Sequence, residues 1–282
     1  MTRFSSEPLF SPSRRSLMKL AGAGAVGAAT ALSACSETAT AATPANDAVD
    51  PDAIAILSSN ENPYGPSPMA VEAIKAEAGN LYRYTYPTVM KFAEMIAAKE
   101  GVAPEQVLVT NGSTPILAAF SDWVNVNGGK IVTSAITYEG VPRVAEQAGT
   151  EVVYMPLTQD MGYDMEAIAA RVGPDTGAVY LCNPNNPTGK TIPTEQLKAF
   201  VEDVSNKVPV FVDEAYLDMS DDYPGNVMSE FVAAGKPVIV ARTFSKIYGM
   251  AGIRMGYTIS SPEVAQKIQA TAMSWSPCTS YA

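Results

Sequence analysis

The stretch VIVARTFSKIYGMAGIRMGY, Val238–Tyr257, begins as an apolar run typical of a buried strand and then becomes polar. Lys246 follows the run among small and hydroxyl neighbours, and Arg254 stands eight residues further on. Burial and a nearby cation lower the pKa of a lysine from about 10.4, which makes its amine a nucleophile for aldehydes. Arg254 could be that cation, although an arginine also anchors a phosphate directly. The stretch therefore predicts a strand that ends at a site with a reactive lysine and a bound anion.

Apolar runs and amphipathic stretches alternate along the chain from Ile54 onward. Six runs have the near-continuous apolar character of strands covered on both faces: Gln106–Thr110, Lys130–Ser134, Glu151–Met155, Ala178–Cys182, Val208–Asp213 and Val238–Arg242. Amphipathic stretches after Thr114, Gly140 and Pro193 predict helices, the last with Thr194 as its N-cap. This alternation predicts an α/β fold with a mostly parallel sheet, in which ligands bind beyond the carboxyl ends of the strands.

Polar clusters stand directly after, or at the end of, five of the predicted strands. They begin at Asn111, Tyr138, Asn183, Asp213 and Thr243. Because the carboxyl ends of parallel strands meet at one edge of a sheet, we expect these clusters to form a single site.

The cluster Asn111–Pro115 predicts an anion-binding turn. Gly112 lets the backbone approach a ligand closely, and Pro115 suits the first turn of a helix. A helix N-terminus presents free backbone N–H groups and the positive end of its dipole to a phosphate.

Asp213 ends a very apolar strand, and a buried carboxylate needs a cationic or hydrogen-bonded partner. A pyridinium nitrogen would be such a partner. A helix cap or a structural ion pair would also explain the residue, so the strand end alone leaves these alternatives open.

The composition excludes several classes of function. The formal net charge of −10 argues against binding nucleic acid through a general basic surface. The chain contains no histidine, which rules out Ser-His-Asp hydrolysis and zinc catalysis through histidine ligands. Cys35, Cys182 and Cys278 have no metal-ligand spacing and form no paired disulfide framework, so no metal site is predicted. Any general base must be Lys, Asp, Glu, Tyr or Cys.

Taken together, the motifs resemble the fold type I pyridoxal-phosphate enzymes, and within them the class I/II aminotransferases. Three motifs carry the resemblance: NPNNPTG at Asn183–Gly189, VDEAY at Val212–Tyr216 and TFSK at Thr243–Lys246. Two more, SNENPYGPSP at Ser59–Pro68 and YRY at Tyr82–Tyr84, resemble the histidinol-phosphate aminotransferase branch. The resemblance covers the chain from about Ile54 to its end. It implies a three-layer α/β/α large domain with a mixed, mostly parallel sheet.

The resemblance implies a role for each matching residue. Lys246 would form a Schiff base with the cofactor, pyridoxal 5'-phosphate, and then move the substrate proton. Asp213 would keep the pyridine nitrogen protonated, so that the ring withdraws electrons from the substrate. Asn186 and Tyr216 would donate hydrogen bonds to the ring oxygen, and Tyr138 would stack on the ring. The phosphate would be held by Gly112, Ser113, Thr114, Thr243, Ser245 and Arg254.

The resemblance also extends to the substrate and the partner subunit. Tyr84 would reach the phosphate in the partner subunit of a homodimer with shared active sites, and Asn62 and Tyr64 would lie on the loop that lines the substrate pocket. The substrates would be an amino acid or an amino-phosphate similar to histidinol phosphate, with a 2-oxo acid as acceptor. Family members continue into a C-terminal small domain whose arginine binds the substrate carboxylate. This sequence ends at Ala282, so that domain is expected to be missing.

The beginning of the chain predicts an export signal. Ser13–Lys19 contains two arginines and resembles a twin-arginine signal, and the apolar run Leu20–Ala34 is too short to span a membrane comfortably. Leu32–Cys35 resembles a lipoprotein cleavage box with Cys35 as the acylated residue. The chain would therefore lie in the periplasm or be anchored to a membrane. It divides into a signal (1–35), a low-complexity tether (36–52) and the cofactor-binding domain (53–282), with an N-terminal arm (53–80) and a large domain (81–282).

Two alternatives to amino transfer remain. Decarboxylases and lyases share the fold and the cofactor, and the bond that is cleaved depends on how the pocket orients the substrate. The export signal and the early end of the chain also agree with a non-catalytic exported remnant.

Overall fold

The structure of the chain, a computed structural model, describes residues 57–84 and 86–272. The predicted signal and tether, with Cys35, lie outside the described residues, as does Cys278. Among the helices in the described ranges, none combines the length and the apolar character needed to cross a membrane. The described residues all belong to one unit of the chain, Leu57–Ala282.

In residues 57–84 and 86–272, seven strands form one sheet in the order β1-β7-β6-β5-β4-β2-β3. They are β1 (Val107–Thr110), β2 (Lys130–Ser134), β3 (Val152–Met155), β4 (Thr176–Cys182), β5 (Val210–Asp213), β6 (Val238–Thr243) and β7 (Gly256–Ile259). The pairs among β2 to β6 are parallel, whereas β7 runs antiparallel to both of its neighbours, β1 and β6. The prediction of a mixed, mostly parallel sheet is therefore confirmed. Strand β7 was not predicted, because it begins with a glycine, a residue that is depleted in strands.

Except for the first, which buries none of its residues, the α-helices of the described ranges cover both faces of this sheet. They are α1 (Pro68–Glu77), α2 (Tyr86–Glu100), α3 (Thr114–Asn127), α4 (Pro142–Gln147), α5 (Met165–Arg171), α6 (Thr194–Val204), α7 (Ser229–Ala233) and α8 (Pro262–Ala272). One buried cluster contains apolar residues of α2, α5, α6 and α7, and the other contains those of α3, α4 and α8. The sheet thus forms the middle of three layers, as the predicted α/β/α architecture requires.

The predicted capping of α6 is wrong. Pro193 is the N-cap residue and makes no side-chain capping bond, and Thr194 is already the first helical residue. The Thr194 hydroxyl instead donates to Asp222 Oδ2 at 3.0 Å, so it links the helix to the loop after β5.

Alternation along β4 and β5 decides which side chains face the site. Tyr180 and Cys182 point to the α3 side of the sheet together with Phe211, whereas their neighbours in sequence face α6. Cys182 pairs with Asp213 in the parallel register. Because successive side chains of a strand point to opposite faces, Asp213 follows Phe211 onto the α3 side.

Three charged side chains form a buried group on the other side of the sheet, which we call the ion cluster: Glu100, Glu214 and Arg242. The Arg242 guanidinium lies 2.7 Å from Glu214 Oε2 and 2.9 Å from Glu100 Oε1, and none of the three side chains is more than 4% exposed. Met228 N donates to Glu214 Oε1 at 2.9 Å, and the Tyr257 hydroxyl donates to Glu100 Oε1 at 3.3 Å. The cluster joins α2 to the ends of β5 and β6, on the face of the sheet opposite Asp213.

Candidate active site

The carboxyl ends of β4, β5 and β6 open onto a cavity of about 660 Å³. Ten of the residues implied by the sequence line it: Ser113, Thr114, Tyr138, Asn186, Asp213, Tyr216, Thr243, Ser245, Lys246 and Arg254. Residues from five separate segments are thus brought together, as expected from their positions after the strands.

Lys246 is half-buried, and it lines the cavity. Its Nζ donates to the backbone oxygen of Ser59 at 2.7 Å and lies 5.4 Å from the centroid of the Tyr216 ring. Burial lowers the pKa of Lys246, and the charge of Arg254 lowers it further, while the carboxylates of Asp213 and Glu61 oppose the shift. The amine is therefore more easily deprotonated than that of an exposed lysine, which is what a nucleophilic role requires.

Asp213 is only 2% exposed, and it makes no ion pair with the described residues. Its Oδ1 accepts a hydrogen bond from Ala215 N at 3.1 Å, and its Oδ2 accepts one from the Tyr180 hydroxyl at 3.4 Å. Burial raises the pKa of Asp213 to about 6, although these two hydrogen bonds and the charge of Lys246 oppose the rise. Within the described part of the chain, the structural ion pair considered for Asp213 is thus not formed, and the carboxylate would gain from a cation placed in the cavity.

Replacing Asp213 with asparagine is expected to stabilise the ligand-free chain at pH 7. The folded pKa of about 6 exceeds the ordinary value of 3.8, so this group's contribution to stability is present below pH 3.8 and is lost as the pH rises through 6. Avoiding the buried charge should therefore increase the free energy of unfolding by up to about 3 kcal/mol. Urea unfolding of both proteins at neutral and mildly acidic pH measures the difference, which should shrink as the pH falls.

A matched control for this substitution is Asp203→Asn, because Asp203 is an exposed carboxylate paired with Lys207 on the surface. We expect the control to change the free energy of unfolding by less than about 1 kcal/mol at either pH. A difference between Asp213→Asn and the original chain that does not depend on pH would contradict the raised pKa.

An anion cradle lies at the edge of the cavity where β1, β6 and β7 meet. A side chain at Gly112, whose φ is 79°, would collide with the Arg254 guanidinium, so only glycine lets the arginine approach this turn. Arg254 Nη1 lies 3.4 Å from Ser245 Oγ, and Arg254 itself adopts the left-handed conformation with φ 61°. Ser113 stands at the N-cap of the 14-residue helix α3 without using its hydroxyl as a cap. The guanidinium, the hydroxyls and the helix N-terminus together suit a phosphate group.

The three asparagines of NPNNPTG have different roles in the loop after β4. Asn183 Oδ1 accepts from Ile192 N at 2.8 Å, and Asn185 Nδ2 donates to Ile136 O at 3.0 Å. Both side chains are buried and hold the loop in place, whereas Asn186 lines the cavity. The loop is therefore built to present one amide to a ligand.

The N-terminal loop reaches the cavity through different residues from those implied by the resemblance. Ser59, Asn60 and Glu61 line it, and Asn60 Nδ2 donates to the Tyr216 hydroxyl at 3.0 Å. Asn62 instead attaches the loop to the backbone behind Lys246, because its Nδ2 donates to Ile247 O at 2.7 Å. The side chain of Tyr64 is 93% exposed and does not line the cavity.

Tyr84 is 79% exposed and does not line the cavity of its own chain either. The sequence motifs also did not indicate two residues of β4: Cys182, which lines the cavity, and Tyr180, whose hydroxyl donates to Asp213. A signal for Tyr180 was present, because a tyrosine in the middle of a fully buried strand needs a partner for its hydroxyl.

Comparison with known proteins identifies the family. The sequence profile of the family "Aminotransferase class I and II" matches residues 53–282, which is most of the chain. The chain belongs to this family. The aminotransferase motifs at Asn183–Gly189, Val212–Tyr216 and Thr243–Lys246 are those that line or support the cavity described above.

Several known aminotransferases are similar to the chain over three quarters of its length. It is 37% identical over 215 residues to a histidinol-phosphate aminotransferase from Moorella thermoacetica, covering 75% of this chain and 55% of that protein. It is 34% identical over 216 residues to an aromatic amino acid aminotransferase from Cutibacterium acnes, covering 77% of this chain and 61% of that protein. The chain thus spans less than two thirds of the length of these relatives.

A solved structure has the same fold. The crystal structure of histidinol-phosphate aminotransferase from Sinorhizobium meliloti in complex with pyridoxal-5'-phosphate matches with a TM-score of 0.71 and 30% sequence identity. The match covers 79% of this chain and 60% of that one. It confirms the α/β fold that was predicted from the alternation of strands and helices.

Proposed function

We propose that this chain binds pyridoxal 5'-phosphate and transfers an amino group between an amino acid or amino-phosphate and a 2-oxo acid. The observation that carries the proposal is the arrangement of Lys246 and Asp213, which face one cavity with an anion cradle at its edge. Relatives that the chain resembles over three quarters of its length are aminotransferases, which supports the same conclusion.

The residues of the cavity fit this cofactor at three separate points. The cradle formed by Gly112, Ser245 and Arg254 suits a phosphate, and the absent side chain at Gly112 leaves room for the arginine. The buried Asp213 carboxylate makes no ion pair with the described residues, so it suits a protonated ring nitrogen. The Lys246 amine, with its lowered pKa, suits an aldehyde.

When bound, the cofactor supplies an aldehyde for the lysine amine and an electron-withdrawing ring that makes the substrate α-proton acidic. Lys246 Nζ would take that proton and return it, since its lowered pKa lets the amine exist as a free base. Asp213 would hold the proton on the ring nitrogen. Asn186 and Tyr216 would orient the ring through its oxygen, and Tyr138 would pack on the ring and exclude water.

The substrate class is proposed from the NENPYG loop and the relatives. Ser59–Glu61 bring this loop to the cavity, and the similar protein from Moorella thermoacetica is a histidinol-phosphate aminotransferase. We therefore propose an amino-phosphate similar to histidinol phosphate as the first candidate donor. An aromatic amino acid is the second, supported by the similarity to the Cutibacterium acnes protein.

A homodimer is proposed from the exposed apolar surface of the N-terminal part of the chain. Among the described residues between 57 and 95, eight large side chains are at least 61% exposed: Leu57, Tyr64, Met69, Leu81, Tyr82, Tyr84, Met90 and Met95. Such a concentration marks a surface that another chain covers. A second copy would bury it and would bring Tyr84 to the phosphate site of its partner.

Export is proposed from the sequence alone. The twin-arginine pattern in Ser13–Lys19 and the lipoprotein-like box Leu32–Cys35 support a chain carried out of the cytoplasm and anchored through Cys35. A protein that is exported in the folded state can carry its cofactor with it, which agrees with the proposed chemistry.

The experiment that tests the function begins with cofactor uptake. The purified chain is mixed with pyridoxal 5'-phosphate, freed of excess by gel filtration and examined for a visible absorption band. We expect one cofactor per chain, because each chain contains one Lys246–Asp213 pair. Acid-unfolded chain treated in the same way controls for reaction with surface lysines.

Candidate amino donors are then paired with a 2-oxo acid, and both the keto product and released carbon dioxide are measured. Keto product without carbon dioxide supports amino transfer. Carbon dioxide as the main product would replace the proposal with a decarboxylase. A chain that takes up no cofactor would be a non-catalytic remnant, and the proposal would fall.

A further inference from the structure

We propose that Tyr180 is a positioning residue for Asp213, whose carboxylate it keeps ionised and oriented toward the cavity by donating a hydrogen bond to Oδ2. The proposal rests on the function proposed above, in which Asp213 faces the cofactor ring. It concerns a residue that lies on β4, outside the motifs that identify the family.

The geometry comes from the pairing of β4 with β5. Tyr180 lies opposite Phe211 and Cys182 lies opposite Asp213, so that Tyr180 and Asp213 are diagonal neighbours on one face of the sheet. Tyr180 is fully buried, and its ring packs against Phe211 with 5.8 Å between the ring centroids. Packing therefore holds the ring in place, and the hydroxyl reaches Asp213 Oδ2 at 3.4 Å.

The direction of this hydrogen bond follows from the two groups. Burial, and then the charge of Asp213, raise the pKa of the Tyr180 phenol well above its ordinary value, so the hydroxyl stays protonated and acts as the donor. Ala215 N donates to the other carboxylate oxygen, Oδ1, at 3.1 Å. With one donor on each oxygen, the plane of the carboxylate is held in one orientation.

The other titratable groups facing Asp213 cannot replace Tyr180. Lys246 is the cation that opposes the raised pKa of Asp213, but its Nζ makes its hydrogen bond to Ser59 O. Burial raises the pKa of the Cys182 thiol well above its ordinary value, and the thiol donates to Pro184 O rather than to Asp213. Tyr138, Tyr163 and Tyr216 also have raised pKa values and make no hydrogen bond to Asp213 among the described residues. The Tyr163 hydroxyl donates to Asn185 Oδ1, and the Tyr216 hydroxyl accepts from Asn60. Among the described residues, Tyr180 and Ala215 N therefore supply the hydrogen bonds to this carboxylate.

Removing the hydroxyl leaves Oδ2 buried without its donor. Tyr180→Phe should therefore raise the pKa of Asp213 further, by about one pH unit above its present value. Burial raises this pKa, and the variant lacks a hydrogen bond that opposes the rise. A larger fraction of the carboxyl groups would be protonated at neutral pH. A neutral carboxyl holds a protonated ring nitrogen less strongly, so cofactor affinity should fall most at mildly acidic pH and recover as the pH rises.

The decisive measurement is the titration of Asp213 in the cofactor-free chain by NMR of ¹³C-labelled aspartate, with its signal identified by its loss in Asp213→Asn. We expect a midpoint near 6 in the original chain and about one unit higher in Tyr180→Phe. The matched control is Tyr257→Phe, which also removes a buried hydroxyl, but one that donates to Glu100 on the opposite face. An Asp213 midpoint that is equal in Tyr180→Phe and in the control would overturn the proposal.

A second variant covers the case in which Tyr180→Phe does not fold. Site-specific 3-fluorotyrosine at position 180 keeps the shape of the ring but makes the hydroxyl a stronger donor, so the midpoint of Asp213 should move down. A midpoint that stays unchanged or moves up would count against the hydrogen bond.

Cofactor binding separates this inference from the proposed function. If the Asp213 titration shifted in Tyr180→Phe but the original chain bound no pyridoxal 5'-phosphate, the positioning role of Tyr180 would stand. The proposed function would then be rejected. If Tyr180→Phe bound the cofactor as well as the original chain at every pH, and its Asp213 titration were unshifted, the proposed function would stand. The positioning role of Tyr180 would then be rejected.

Discussion

Lys246→Ala is expected to lower kcat for amino transfer by at least about 10⁴-fold, because the same amine serves as nucleophile and as proton carrier. The half-buried position of Lys246 and its lowered pKa prepare it for both tasks, and no second lysine lines the cavity among the described residues. The visible absorption band of the cofactor-treated chain should disappear in the same variant. Single-turnover kinetics and absorbance spectra of the two proteins measure both effects.

The matched control is Lys207→Ala, which removes a lysine from an exposed helix-end ion pair with Asp203. This control should keep both the absorption band and the activity of the original chain. If Lys246→Ala retained the band, or lost less than about tenfold in kcat, the amine that reacts would have to be another one.

The largest expected effect on stability comes from Arg242→Met. Arg242 lies between Glu100 and Glu214 in the ion cluster, and its removal leaves two buried carboxylates without a cation. Breaking a buried ion pair in this way costs about 3–5 kcal/mol in the free energy of unfolding. Urea denaturation of the ligand-free chain is the measurement.

The loss should depend on pH. Burial raises the pKa of Glu214, and the charge of Arg242 opposes that rise, so the pKa climbs further once Arg242 is gone. A carboxyl whose folded pKa is raised stabilises the fold at low pH and loses that contribution as the pH rises. The loss in the free energy of unfolding caused by Arg242→Met should therefore be greatest at neutral pH. It should become smaller as the pH falls toward 4.5, the ordinary pKa of glutamate.

Two controls test this account. Lys207→Met removes a cation from a surface pair and should cost less than about 1 kcal/mol. Combining Arg242→Met with Glu100→Gln and Glu214→Gln removes the unpaired charges and should recover part of the loss. A cost below about 1 kcal/mol for Arg242→Met alone would show that the cluster contributes little.

The sequence was sufficient for the main features of the fold and the site because they depend on local patterns. Buried strands such as β4 and β6 are continuous apolar runs, and polar clusters after them must meet at one edge of a parallel sheet. Lys246, Asp213 and Asn186 could therefore be assigned to one cavity from their positions in the sequence. Strand β7 was not predicted: β1, β3 and β5 are equally short, but β7 begins with a glycine, a residue that is depleted in strands.

The remaining details depend on contacts between distant segments. Asn62 was expected near the substrate, but its amide is used to attach the loop to Ile247 O, and Asn60 takes the place beside Tyr216. Tyr180 was overlooked because its partner, Asp213, lies 33 residues away and becomes its neighbour only through the β4–β5 register. Such pairings are decided by tertiary packing, which a single sequence does not reveal.

Asp213 and Glu214 are consecutive acidic residues that serve opposite sides of the sheet, one toward the cavity and the other toward Arg242. A β5 strand aligned one position out of place would exchange their directions. Arg242 would then meet the wrong carboxylate, and the cavity would receive a longer side chain from a different point of the backbone. Molecules with this misaligned strand would thus be both unstable and inactive. The molecules that fold stably are therefore also those in which the site is correctly assembled.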